Sequence, residues 1–291
     1  MQTAVSKVRI FLEMIKVEHS LFVLPFAYLG LLLGRRALPD LPTFFWVTVA
    51  MVSFRTMAMG ANRLIDCRID SLNPRTQNRA LPAGLLKAPF VWGMTLFSLI
   101  LFEASAFRLG RLCFLFSPVP VALAWFYPWT KRFTWFSHFV LGMILGIAPY
   151  GAWLAGRRSF SWIPGFLMLG VAAWVAGFDM IYALQDVAFD REHDLFSFPA
   201  RFGAETTLRI TRLLHGVTVL SWIAAGWLAG CGPIYFTGLG LVAFFLAREH
   251  WLIRVFGLKK LEEAFFKMNV LVSISLFAVT LADSSWGRHL S

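Results

Sequence analysis

Residues 42–84 read PTFFWVTVAMVSFRTMAMGANRLIDCRIDSLNPRTQNRALPAG. As far as residue 62 the stretch carries one charge, Arg55, over about 20 mostly apolar residues, the length of a helix that crosses a bilayer. Beyond that point the character changes. Asn62, Asp66 and Asp70 recur at every fourth residue among Arg63, Arg68, Arg75 and Arg79. Residues four apart on a helix share a face, so a side-chain amide and two carboxylates form one stripe where an apolar helix ends.

The rest of the chain repeats the apolar part. Of 291 residues 58% are hydrophobic and only 15% charged, well below the roughly 25% of a soluble domain, and the mean hydropathy is +0.67. The 30 Phe and 12 Trp suit lipid contact and interfacial belts. The expected fold is an all-α integral membrane protein. Nine candidate spans lie near 19–34, 42–62, 88–107, 110–128, 134–155, 161–183, 206–229, 232–252 and 266–284. The first is short and would be extended by the segment before it. Pro25, Pro118, Pro120, Pro149 and Pro164 fall in spans, where neighbouring helices can re-satisfy the backbone. Residues 5–18 place Val8, Phe11, Leu12 and Ile15 on one helical face, which predicts an interfacial helix. Charges at Lys7, Arg9, Glu13, Lys16 and Glu18 argue against a signal peptide there. Cys67, Cys113 and Cys231 form no CxxC pair and read as structural.

A net charge of +11 raises nucleic acid as a partner. In a membrane protein the plainer reading is the bias of Lys and Arg toward the cytoplasmic side, and no nucleic-acid partner is expected. Alternate loops collect 19 Lys and Arg on one face and 7 on the other, with Arg55 inside a span. That ratio predicts a cytoplasmic N-terminus and a cytoplasmic position for the acidic stripe. With nine spans the C-terminus lies outside.

A second cluster follows the sixth span. Residues 179–203 read DMIYALQDVAFDREHDLFSFPARFG, and Asp186, Asp190 and Asp194 repeat the spacing of four. Asp179, Tyr182, Asp186 and Asp190 predict a second stripe on the same side of the membrane. This suggests a weak internal repeat of four-helix units within a single domain over 1–291, spans 2–3 corresponding to 6–7. If the two stripes face each other, four or five carboxylates share one cytoplasmic-side cavity. Such a set needs cations. Mg²⁺ fits, because it takes oxygen ligands and bridges carboxylates to substrate phosphates. Arginines and Lys131 would meet the phosphate oxygens. Solvated salt bridges in a loop are the alternative for either cluster alone. Two clusters on one face, each at the mouth of a span, weigh against it.

These residues also resemble the UbiA-type family of intramembrane aromatic prenyltransferases. The family's NxxxDxxxD motif stands here as Asn62, Asp66 and Asp70, followed by Arg75-Thr76, Asn78-Arg79 and Leu81-Pro82-Ala83-Gly84. Its second motif stands as Tyr182-Ala183, Asp186 and Asp190, preceded by Asp179. A YPxxKRxT segment matches as Tyr127-Pro128, Lys131-Arg132 and Thr134. The resemblance runs from about residue 9 to 280 and implies a nine-helix bundle in the bacterial inner membrane. It implies transfer of a polyprenyl group from its diphosphate to a hydroxylated aromatic acid, with 4-hydroxybenzoate leading and 1,4-dihydroxy-6-naphthoate, of the alternative menaquinone route, close behind. Catalysis and Mg²⁺ would then rest on Asp66, Asp70, Asp186 and Asp190, diphosphate binding on Asn62, Arg75, Arg79 and Lys131. The aromatic substrate would meet Arg55, Asp179 and Tyr182. Three positions depart from the family pattern: Asp194 where Gly is common, His138 where Gln is frequent and Ala80 for a frequent Pro. Asp194 reads as a solvated loop acid and His138 as a bundle histidine.

Arg55 lies 11 residues before Asp66, roughly 16 Å deeper along a helix. An arginine at that depth needs an anion, either the acceptor's carboxylate or an internal partner. Two readings from other classes compete. A cation transporter would need acids deep in several spans, whereas the spans are read as nearly free of acids, with Glu103 the main exception. A non-catalytic assembly factor gives no reason for paired motifs.

Overall fold

The computed structural model describes residues 4–16, 23–35 and 37–286, and among them the chain is all-helical. The helices are α1 (Ala4–Met14), α2 (Leu24–Arg35), α3 (Leu41–Leu72), α4 (Ala88–Leu109), α5 (Arg111–Phe116), α6 (Pro118–Thr130), α7 (Ser137–Arg157), α8 (Trp162–Ala183), α9 (Val187–Glu192), α10 (Phe198–Ala229), α11 (Pro233–Phe256) and α12 (Asn269–Trp286). Among the described residues seven segments are long and apolar enough to cross a membrane: Leu41–Leu72, Ala88–Leu109, Arg111–Thr130, Ser137–Arg157, Trp162–Glu192, Phe198–Ala229 and Glu263–Ser284. Leu24–Arg35 is a shorter apolar helix, and the predicted start of the first span, 19–22, lies outside the described residues. Large apolar side chains face outward along these helices. Leu220, Ile100 and Trp227 are 67%, 69% and 75% exposed, which is stable when lipid rather than water is the solvent.

Two compact units divide the chain. The first holds residues 1–20 and 45–129. Here α1 docks through Phe11, Met14 and Ile15 onto Ala80, Leu81, Leu86 and Val91. The expected apolar face was broader. Val8 and Leu12 are exposed and Met14 is buried, because a helix seated on protein buries a narrow i, i+3, i+4 stripe. The α3–α4 approach depends on Gly60, where a Cβ would stand 2.2 Å from Thr95 Oγ1. Glu103, expected near a helix end, accepts a hydrogen bond from Ser117 Oγ at 2.6 Å.

The second unit holds residues 21–44 and 130–291. Its centre is α8, with Trp174, Val175 and Ala176 fully buried. Phe26 packs on Trp174 and Trp222 with ring centroids 5.0 and 5.2 Å away. Small residues bring backbones together, as is usual where apolar burial alone cannot drive helix association. At Gly142 of α7 a Cβ would lie 2.3 Å from the Ala172 carbonyl oxygen of α8. α11 has no side-chain cap of its own. Asp283 of α12 replaces it, accepting from Gly232 N at 2.6 Å and Tyr235 N at 3.3 Å, a carboxylate at the positive end of a helix.

One reading of the spans needs correction. Glu249 of α11 is a fully buried acid inside a predicted span, where Glu103 was expected as the main exception. It lies near Asn269, yet neither of its oxygens has a donor at hydrogen-bonding distance among the described residues. Asn269 Nδ2 donates instead to the Phe265 carbonyl at 2.8 Å, while its Oδ1 accepts from Trp174 Nε1 at 2.7 Å. Averaged hydropathy conceals a single acid of this kind.

Candidate active site

In the first unit, α3 stays helical ten residues past the predicted span, to Leu72. The stripe is therefore real helix. Asn62 Nδ2 donates to Asp66 Oδ2 at 3.1 Å, and both aspartates are buried, Asp66 3% and Asp70 5% exposed. Past Leu72 the chain turns back. Asn73 Oδ1 accepts from Arg75 N at 2.9 Å, the side-chain turn that a following Pro-Arg favours. Buried Thr76 donates to the Asp70 carbonyl at 3.0 Å. This return delivers Arg79, whose Nη1 reaches both Asp70 oxygens at 2.7 Å. Arg75 itself is exposed.

Arg63 is the residue sequence reasoning missed, since it was counted only toward the positive loop. Its side chain is buried, donates to Asn62 Oδ1 at 3.1 Å and lies 3.9 Å from Asp70 Oδ2. The available signal was its spacing of seven from Asp70, which returns to the same helical face. Arg55 is half-buried and donates through Nη2 to the Lys16 carbonyl at 3.2 Å.

In the second unit the stripe is not one α-helix. α8 ends at Ala183, a 3-10 turn spans Leu184–Asp186, and α9 begins at Val187. Winding at three residues per turn over three residues advances the phase by roughly 60° relative to an α-helix. Asp186 and Asp190 are accordingly rotated from the line that passes through Asp179 and Tyr182. Tyr182 packs on Phe265 with centroids 4.3 Å apart. Asp190 accepts from Ser197 Oγ at 2.6 Å, and Lys131 is near enough to act on it electrostatically. The Lys131 carbonyl accepts from Phe196 N at 2.7 Å. Asp179 is held by His138, Nδ1 to Oδ2 at 2.7 Å. Asp194 is exposed with φ 52°, a left-handed position where Gly is favoured and Asp tolerated. Among the described residues no three His, Cys, Asp or Glu side chains gather to hold a metal by themselves.

Residues 23–271 match the profile of the UbiA prenyltransferase family. A 4-hydroxybenzoate octaprenyltransferase of Alkalilimnicola ehrlichii (strain ATCC BAA-1101 / DSM 17681 / MLHE-1) is 28% identical over 254 residues, covering 87% of this chain and 86% of that protein. One of Francisella tularensis subsp. novicida (strain U112) is 26% identical over 253 residues, covering 87% and 88%. The apo structure of a UbiA homologue from Aeropyrum pernix K1 superposes with a TM-score of 0.84 at 32% identity, over 92% of this chain and 98% of that one. A UbiA homologue from Archaeoglobus fulgidus, bound to DMAPP and Mg²⁺, shares the fold at a TM-score of 0.72 and 18% identity, over 93% and 99%. The chain belongs to the UbiA prenyltransferase family and is an integral membrane prenyltransferase.

Proposed function

We propose that the chain transfers a polyprenyl group from polyprenyl diphosphate to the ring of a hydroxylated aromatic acid of the 4-hydroxybenzoate type, in respiratory quinone biosynthesis. The observation that carries this reading is the Asn62–Asp66–Asp70 stripe on a membrane helix, with both aspartates buried and Arg63 and Arg79 beside them. The names of the relatives support the acceptor. In this reading the chain is one domain with a pseudo-repeat of four-helix units and nine spans in the bacterial inner membrane. Its N-terminus and active-site cavity are cytoplasmic.

The donor set fits Mg²⁺. It offers carboxylates and a side-chain amide, hard oxygen donors of the kind that ion shares with water and substrate phosphate. Asp66, Asp70, Asp186 and Asp190 would hold it, and when bound it neutralises the departing diphosphate. Asn62, Arg75, Arg79 and Lys131 bind the phosphate oxygens, and Arg79 exchanges Asp70 for them when substrate arrives. The C–O bond to the diphosphate breaks as the acceptor ring attacks the allylic carbon. Aromatic side chains stabilise the positive charge. The ring then loses its proton. Asp186 hydrogen-bonds the phenol, Asp179 and Tyr182 orient the ring, and Arg55 receives the carboxylate in exchange for the Lys16 carbonyl.

The test is transfer from labelled polyprenyl diphosphate in membranes carrying the chain. Mg²⁺-dependent product with 4-hydroxybenzoate, in competition with 1,4-dihydroxy-6-naphthoate, is expected. Preference for the naphthoate would reassign the acceptor, and no product across a panel of aromatic acids would remove the reading. Arg55→Met should raise KM for the aromatic acid but not for the prenyl diphosphate, and equal changes would return Arg55 to a structural role.

A further inference from the structure

His138 is buried at the first turn of α7 and uses both ring nitrogens. Nε2 lies 3.4 Å from the Phe198 backbone N–H, which can only donate. Nε2 is therefore the acceptor and Nδ1 carries the proton, which it gives to Asp179 Oδ2 at 2.7 Å. Phe198 opens α10, and its neighbour Ser197 caps that helix while donating to Asp190 at 2.6 Å. One short segment, Ser197-Phe198, thus joins Asp190 directly and Asp179 through an imidazole. The Asp179 side chain keeps 19% of its surface open, so His138 holds one oxygen and leaves the carboxylate accessible.

We infer that His138 is a positioning residue: its Nδ1–H aims the Asp179 carboxylate at the hydroxylated acceptor, and its Nε2 ties that aim to the start of α10. The inference rests on the proposed aromatic acceptor and adds a residue that sets affinity for it. His138 does not take the proton, because its one lone pair is engaged by Phe198. An orienting partner of this kind fixes rotamer and tautomer for the group that meets substrate.

Two variants test it. A glutamine can reproduce both bonds, Nε2–H to Asp179 and Oε1 from Phe198 N, whereas leucine makes neither. His138→Leu should raise KM for 4-hydroxybenzoate at least about 10-fold and leave KM for prenyl diphosphate within about 2-fold. His138→Gln should stay within about 3-fold of wild type for both. Equal changes in the two KM values, no change in either, or a glutamine variant as impaired as the leucine one would overturn the inference. If the leucine variant does not fold, ¹⁵N-histidine NMR of the wild-type protein decides, with the His138 signals assigned by their loss in His138→Gln. A protonated Nδ1 and an unprotonated Nε2 at neutral pH are expected. The reverse tautomer or a doubly protonated ring overturns the inference. Should wild-type protein prenylate no aromatic acid, the function reading falls, and calorimetric binding of 4-hydroxybenzoate alone, weakened in His138→Leu and not in His138→Gln, judges the positioning role separately.

Discussion

The two acid stripes share a spacing of four and differ in what holds them. On α3 the helix is continuous: Asp66 accepts from the neutral amide of Asn62, while Asp70 is held by charge, gripped by Arg79 with Arg63 beside it. Between α8 and α9 the helix is interrupted, Asp190 accepts from Ser197 and Asp179 is held by His138, while Lys131 acts on Asp190 electrostatically. A buried ion pair broken on one side leaves a charge without compensation, whereas loss of a neutral donor costs one hydrogen bond. Asp70 should thus be the more sensitive to loss of its partner, although in the proposed function both sets of acids serve the same chemistry.

Activity gives the largest expected effect. Asp66→Asn and Asp190→Asn should each lower kcat/KM by on the order of 10³-fold, measured as product from labelled prenyl diphosphate. A loss confined to one stripe would mean that only that stripe meets the diphosphate. Stability separates the stripes next. Arg79→Ala strips the partner from buried Asp70 and should cost about 3 kcal/mol, read from thermal or denaturant unfolding in detergent. Ser197→Ala removes a helix cap and one bond to Asp190, and should cost about 1 kcal/mol by the same measurement. A reversed order would show that charge compensation does not distinguish the two regions. The smallest effect is a gain. Asp194→Gly should stabilise by about 0.5 kcal/mol, because its φ of 52° is costly for a residue with a Cβ, with transfer activity unchanged. A loss of activity there would make Asp194 a ligand after all.

Apolar run length located seven of the nine predicted spans, because about 20 apolar residues have few other uses; the described part of 19–34 is a shorter apolar helix, and 232–252 is helical but falls outside the seven. Helix ends were less legible. α3 runs on to Leu72 and α10 begins at Phe198, eight residues before the predicted 206, since hydropathy marks the bilayer edge and not the end of the hydrogen-bonded ladder. A kink at Gly203, φ 79°, lies inside that added length. The acids of the candidate site were plain from spacing, whereas their partners were not. Arg63 looked like one of many loop arginines, and His138 and Ser197 lie 41 and 7 residues from the acids they hold. The 3-10 turn at Leu184–Asp186 was hidden because a spacing of four reads the same whether or not the helix is regular. Asp194 was read as a loop acid, in agreement with its exposure.

Glu249 bears on how the protein is made. In the nine-span reading α11 enters the bilayer with Arg248, Glu249, His250 and Arg254 near its end, and it is absent from the seven segments apolar enough to cross unaided. Machinery that judges nascent segments singly would hesitate over such a helix, because a charge costs about 3 kcal/mol at a helix centre and a smaller amount toward its end. α12 packs against it, placing Asn269 near Glu249 and Asp283 at the opening turn of α11. Both contacts form only after α12 has been synthesised. In that reading α11 and α12 are expected to insert as a pair, because the opening turn of α11 is closed by a carboxylate 51 residues further along the chain.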